Sequence, residues 1–374
     1  MSRLLTVLSL LAAAGGPAVR AAQMPDSTRT FSSTHIDSTR IYYTQVVYRP
    51  RVDTLVDTLW CSPLGCSDTR FPKPPAPTPS ALGVPFGPFA LLGQESSPTS
   101  PVTFTASQNY TSPENVAALI AKARAARQHV FLVLTGGGRA QYSTGGKFDL
   151  AKWERRIDQY NTSEIRAAIA AGVADSTVLG NSLIDEPEHR RWGGGLTKAT
   201  VDSMAAYAKR YFPTLPMGPS HGPKGYYLWE PNERYRVVDY VLNQYNWWIT
   251  KGDAPAWRDK VLAQAKLDGV GVAFSMNILD GGQNAERDGR WACPAVTSAG
   301  RGTYEPGCRM TAAQIREWGK ALGPAGCAML MWRYDSVAMG LEDNRQAMRD
   351  VASALAAVPR RPCTRTGSLA TSGW

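Results

Sequence analysis

The stretch "STVLGNSLIDEPEHRRWGGG", Ser176 to Gly195, starts as a buried strand and ends as a cluster of charge. Thr177, Val178 and Leu179, followed by Leu183 and Ile184, form a short apolar run of the kind that is buried in a parallel sheet. The run breaks into Asp185-Glu186-Pro187-Glu188-His189, four titratable groups in five residues. Pro187 cannot continue a strand. The five residues therefore fit two readings: carboxylates at a strand end that borders an active site, or a charged helix start with acids near the helix dipole.

Working outward, strand and helix patterns alternate. "HVFLVLTGGG" before the quoted stretch is a continuous apolar run closed by glycines. "FDLAKWERRIDQYN" and "TSEIRAAIAAGVAD" read as two helices in succession. Upstream, "PFALLG" and "VTFTAS" are strand candidates, and "SPENVAALIAKARAARQ" is a helix with Ser112 as N-cap and Pro113 in its first turn. Downstream, the strands "LPMGPS", "RVVDYVLNQYNWW", "VGVAFSMNILDGG" and "CAMLMWRYDS" are separated by helical segments, and "LEDNRQAMRDVASALAAV" is a final helix. This repeated order predicts a parallel sheet. Seven or eight strands over residues 84–358 favour a closed (β/α)8 TIM-type barrel. The alternative is an open doubly wound α/β sheet, although no glycine-rich phosphate fingerprint follows an early strand.

The remainder divides around this block. Residues 1–22 read as a signal peptide, with Arg3 before an apolar run too short to span a bilayer and small residues before a cleavage point; an uncleaved anchor is the other reading. Residues 23–82 form an appended segment with some β character, ending in the proline run "RFPKPPAPTPSALGVPFGP". The barrel is expected over 83–360, with residues 361–374 as a tail. Six cysteines fall as Cys61 with Cys66, Cys293 with Cys308, and Cys327 with Cys363 at longer range. That usage fits structural disulfides in an oxidising compartment. The chain is therefore expected to be secreted, periplasmic or at the cell surface, with association to the cell envelope as one possibility. The net charge is +10, but Lys and Arg are dispersed and carry no nucleic-acid signature. No later run is long enough for a membrane span.

In a barrel of this type the site lies at the C-terminal ends of the strands. Those ends carry Gly136-Gly137-Gly138-Arg139, Asp185-Glu186-Pro187-Glu188-His189, His221, Gln244-Tyr245-Asn246-Trp247-Trp248, Asp280-Gly281-Gly282 and Trp332-Arg333-Tyr334-Asp335. Carboxylates, amides and flat aromatics together suit a carbohydrate, whose CH faces stack on rings and whose hydroxyls need planar hydrogen-bond partners. Candidate sugar contacts are Arg139, His221, Gln244, Tyr245, Asn246, Trp248, Trp332 and Tyr334.

Residues 84–358 resemble the glycoside hydrolase barrels. The large retaining group ends one strand in Asn-Glu-Pro, whose Glu is the acid/base; Asp185-Glu186-Pro187 stands at a comparable place, with Asp for Asn. The chitinase-like glycosidases are similar in places, at Gly136-Gly137-Gly138, at Gln244-Tyr245-Asn246 and at Trp332. Their alternating aspartates before the catalytic Glu are absent, and where the retaining group has a late-strand Glu this chain offers Asp280. The resemblance is to the superfamily and no single family is assigned.

It implies an O-glycosyl hydrolase that needs no cofactor. Glycoside hydrolysis requires one protonated carboxyl to donate to the leaving oxygen and a second carboxylate, or the substrate's own acetamido group, on the other face. Like charges around Glu186 would raise its pKa. Glu186 is therefore the expected acid/base, Asp185 its tuning partner, and Asp280 or Asp335 the second carboxylate. The alternative is a non-catalytic barrel that binds glycans or serves in the cell envelope. A metal-dependent hydrolase using Asp185, Glu188, His189 and His221 is disfavoured, because the chain has four histidines and no paired ligand motif. No metal site is expected.

Overall fold

The computed structural model describes residues 82–92, 101–135, 139–194, 196–250, 253–282, 308–332 and 334–365, together with several strand backbones outside these ranges. The chain separates into two compact units, Met1–Pro79 and Ser80–Trp374.

In the first unit five strands follow one another as an antiparallel meander: Arg20–Gln23, Arg29–Ile36, Ile41–Tyr48, Leu55–Ser62 and Gly65–Ser67. The last hairpin sets Cys61 directly opposite Cys66. The first strand contains the end of the expected leader; residues 1–19 and the proline run lie outside the described residues.

The second unit is a barrel of eight strands: β1 (Phe86–Pro88), β2 (Ala106–Tyr110), β3 (His129–Val133), β4 (Val178–Asp185), β5 (Met217–His221), β6 (Tyr240–Tyr245), β7 (Gly271–Asn277) and β8 (Met329–Trp332). All neighbours pair in parallel, and β1 lies beside β8, so the ends of the sheet are β1 and β2. These ends meet through a bridge of Phe89 with Gln108. Thr105 also donates its N–H to the Phe86 carbonyl at 2.8 Å, and Ala90 to Gln108 at 2.9 Å. That closure decides for the barrel over the open sheet.

Outside the strands lie α1 (Val116–Ala125), α2 (Leu150–Asp158), α3 (Ser163–Ala174), α4 (Lys198–Lys209), α5 (Ala254–Asp268), α6 (Ala312–Leu322) and α7 (Glu342–Ala356). Asp149, Thr162, Thr197, Asp253 and Thr311 cap α2 to α6, each accepting a first-turn backbone N–H. The expected Ser112 cap does not form: Pro113 opens a single 3-10 turn, α1 starts at Val116, and the Ser112 hydroxyl accepts from the Asn115 side chain instead. Two strands are also displaced from expectation. β1 precedes "ALLG", and β2 begins at Ala106, because Val102 and Phe104 are buried before the strand and Phe104 packs on Phe86.

Two apolar layers result. Phe89, Phe131, Leu179, Tyr240, Leu242, Ala273 and Leu330 cluster together as one, and a larger layer packs strands against helices. At the N-terminal ends of the strands the segment expected as a tail is tied down. Cys363 is bonded to Cys327, just before β8, with Cα atoms 5.3 Å apart. Thr364 runs so close to Gly271, the first residue of β7, that a Cβ there would lie 3.0 Å from its nitrogen. Arg365 donates to the carbonyls of Val238, Tyr235 and Asp268. Among the described residues no helix is long and apolar enough to cross a membrane.

Candidate active site

The site is built where β4 leaves the barrel. β4 slips register twice against its neighbours, at Val178/Gly180 against β3 and at Ser182/Asp185 against β5. Such bulges re-aim side chains at barrel rims. The second slip pairs Asp185 with Ser220, whose carbonyl then accepts the Glu186 N–H at 2.6 Å. Glu186 has φ +46°, the left-handed region that side chains other than glycine seldom occupy. Trp192 holds this conformation. Its indole N–H donates to the Glu186 carbonyl at 2.8 Å, and the Asp185 carbonyl lies at 3.2 Å. Trp192 in turn stacks on Tyr142, ring centroids 5.6 Å apart, with Phe148 edge-on at 6.0 Å. Strain held in place by packing is a frequent property of functional turns.

Four carboxylic acids gather here. Asp185 keeps 48% of its side chain accessible and Glu186 25%, so solvent reaches both. Arg191 ion-pairs with Asp185 at 3.2 Å and with Glu186. Burial pushes Asp185 up to about 6, with repulsion from Glu186 adding to it and Arg191 opposing. Solvent at its accessible face screens part of this effect. Burial likewise raises Glu186; Arg191 opposes, while Glu188 and Asp280 push it further up. Asp280, in the loop after β7, is raised to about 6 by burial, and its Oδ1 is buried with no hydrogen-bond partner among the described residues. Glu188 behaves oppositely. Burial pushes it up, but His221 and the Gly222 N–H outweigh that and hold it below the usual carboxylate range.

Two glycines make this crowding possible. A Cβ on Gly222 would lie 3.1 Å from Glu186 Oε1 and 3.2 Å from Glu188 Oε1. A Cβ on Gly225 would lie 1.7 Å from Glu188 Oε1, so no other residue fits there without displacing the carboxylate.

The remaining expected residues separate into three groups. Gln244 is buried with its Nε2 3.4 Å from Asp185 Oδ1, and Trp332 meets Phe89 edge-on. Arg139 is exposed and close enough to act on Tyr142 and His189. Tyr334 is half-buried, its N–H on the Phe89 carbonyl. Others are packed inside the protein. Tyr245 is fully buried between Trp257 and Trp318, on the helix side of β6. His221 is fully buried, one ring nitrogen on Glu188 and the other on Tyr235. Asn246 is buried and accepts the Ile249 N–H. All three are buried, and His221 and Asn246 border the site from within, at Glu188 and at the Asp280 carbonyl. Asp335 closes a turn by accepting the Ala338 N–H at 2.7 Å. Gly136 to Gly138, Arg333, Cys293 and the Trp248 side chain lie outside the described residues; so, with Cys293, does the expected Cys293–Cys308 pair.

Arg191, Trp192, Gly222 and Gly225 were not singled out from the sequence. The one available signal was "SHGPKG", two glycines following a polar strand end. Among the described residues no group of three His, Cys, Asp or Glu could hold a metal ion.

No family model matches the chain, and no curated protein matches it. Among solved structures it is similar to a GH10 xylanase with a bacterial Ig-like domain from termite gut, at 11% identity over 84% of this chain and 85% of that one, TM-score 0.42. It is similar to xylanase 10B of Thermotoga maritima at 10% identity over 73% and 95%, TM-score 0.40. It is also similar to a GH113 β-mannanase of Alicyclobacillus acidocaldarius at 14% identity over 74% and 98%, TM-score 0.41. The barrel itself is established by the strand order and the Phe89–Gln108 bridge.

Proposed function

We propose that the chain is an exported glycoside hydrolase acting on a poly- or oligosaccharide. The observation that carries this reading is the pairing of Glu186, on a strained turn after β4, with Asp280 after β7, each raised by burial and close enough for Asp280 to act on Glu186. A raised carboxyl keeps its proton to higher pH than an ordinary one and can donate it to a leaving oxygen. Asp280, once ionised, serves as the second carboxylate on the other face of the sugar. Asp185 adjusts Glu186 from the adjacent position, and Arg139, Trp332 and Tyr334 offer polar and flat surfaces for the sugar.

Export is supported by the leader-like N-terminus and by the cysteines. The ion pair of Arg191 with Glu186 favours a second reading, a barrel that binds glycan without cleaving it, because a paired carboxylate gives up its proton more readily. One experiment separates the two. The protein is screened on chitin-type, β-glucan and α-glucan oligomers for binding and cleavage, and Glu186→Gln is then compared with the parent. A hydrolase loses about 10²–10⁴-fold in turnover on that change while binding persists. Binding with no cleavage by the parent supports the second reading, and cleavage undiminished in Glu186→Gln removes Glu186 from the chemistry.

A further inference from the structure

Glu188 is the acid of this site that the reaction just described does not use, and it is the most tightly held. Its Oε1 accepts the Gly222 N–H at 2.7 Å and its Oε2 lies 3.0 Å from His221 Nδ1. His221 is itself fixed. Its Nε2 is 3.1 Å from the Tyr235 hydroxyl, and its ring packs among Tyr226, Trp229 and Tyr235. Glu188 and Tyr235 thus hold the His221 ring at both of its nitrogens. Tyr235 and Tyr226 stack with centroids 6.3 Å apart, and the buried Lys198 ammonium lies 5.4 and 5.5 Å from the two rings. Asp268 anchors the far end, 3.5 Å from Lys198 and bonded to the Tyr226 hydroxyl at 2.9 Å. A connected network thus runs from the helix layer to one carboxylate, and that carboxylate shares the surface of Gly222 with Glu186.

We propose that Glu188 is a positioning residue: a clamped, ionised carboxylate whose fixed negative charge holds the proton on the neighbouring Glu186. Glu188 meets Glu186 across the surface of Gly222, so it acts on the reaction through Glu186. The charged groups facing Glu186 are Arg191 and Asp185 from the same turn, Glu188, and Asp280 from the loop after β7. His189, Arg139 and Tyr142 stand one shell further out, against Asp185 and Glu188. Arg191 opposes the three acids, and Glu188 is the acid whose position the protein fixes by hydrogen bonds on both oxygens.

The role in catalysis rests on the proposed function, so the test reads the proton on Glu186 directly and needs no substrate. Asp and Glu carboxyls are labelled with carbon-13 in the full chain and titrated by NMR, the Glu186 signal being assigned from Glu186→Gln. In Glu188→Gln the Glu186 midpoint is expected to fall by about half to one pH unit, the reverse of adding a like charge at this range. Tyr235→Phe, which leaves the charge but loosens its clamp, is expected to lower it by less. A midpoint that stays or rises in Glu188→Gln overturns the proposal; should that variant not fold, an unmoved midpoint in Tyr235→Phe overturns it. A displaced titration in a protein that cleaves no glycan refutes the hydrolase and leaves the coupling of Glu188 to Glu186 standing.

Discussion

Arg191 reaches back along its own turn to ion-pair with Glu186, and the same nitrogen lies 3.2 Å from Asp185 Oδ2. The guanidinium lowers both carboxyls against the burial that raises them. Arg191→Gln removes that opposition, so Asp185 and Glu186 keep their protons to higher pH. Activity that needs a protonated Glu186 then persists to higher pH, and the high-pH limb of the rate profile moves upward. A limb that stays or moves down shows that Arg191 does not govern the proton.

Trp192 has a separate task, which is to hold the backbone. Its indole N–H bonds the Glu186 carbonyl while Glu186 sits at φ +46°. Trp192→Phe keeps an aromatic ring against Tyr142 but leaves that carbonyl with only the His189 N–H. We expect a stability loss of about 1–3 kcal/mol in urea unfolding and a rate loss of roughly ten- to a hundredfold from misplacement of the carboxyl. Full activity in a destabilised variant would show that the turn keeps its shape without the bond.

The strand pattern and the acids after β4 were legible in the sequence because a parallel strand buried on both faces is nearly continuous in apolar residues, and "DEPEH" interrupts it. Which side of the sheet a strand-end residue faces was not legible. Tyr245 and His221 look like rim residues by position, yet both turn to the helix side. In β4 the two register slips, which no residue type announces, set where Asp185 and Glu186 stand. The same limit hid Arg191 and Trp192. They follow the acids by five or six residues and come back to them only because Glu186 turns left-handed.

The first residues of the second unit bear on where the chain can be cut. Leu82 bridges Pro359, and the N–H groups of Gly83 and Val84 donate to Val358 and Leu355. A chain starting at Ser80 should therefore be soluble and unfold cooperatively, whereas one starting at Phe86 loses these bonds and should be less stable. Equal melting temperatures for the two truncations would show that the bonds contribute nothing, and aggregation of the longer one would show that the second unit needs the first.

Cys327–Cys363 ties the last described segment to the start of β8, closing a loop with a sequence separation of 36. On the chain-entropy account such a crosslink stabilises by about 4 kcal/mol. Cys327→Ala with Cys363→Ala should lower the melting temperature, and a reductant should then have less effect on the variant than on the parent. Unchanged melting in the double variant would show that Arg365 and the packing around Gly271 hold the segment without the bond.

Asp280 offers the clearest pH signature. Its carboxyl is raised from the ordinary 3.8 to about 6, chiefly by burial. In the unfolded chain it ionises near 3.8; in the folded protein it resists ionisation until about 6. The folded state therefore binds the proton more tightly, and ionising Asp280 costs stability that grows as pH rises between those two values and stays constant above them. Asn cannot ionise. Asp280→Asn should melt with the parent at about pH 3.5 and above it at about pH 7.5, with the gain developing in between. If Asp280 is the second carboxylate of the proposed reaction, the same change should also depress glycan cleavage. A melting difference equal at both pH values would show that Asp280 ionises freely in the folded protein, and its assignment as the perturbed partner of Glu186 would fall.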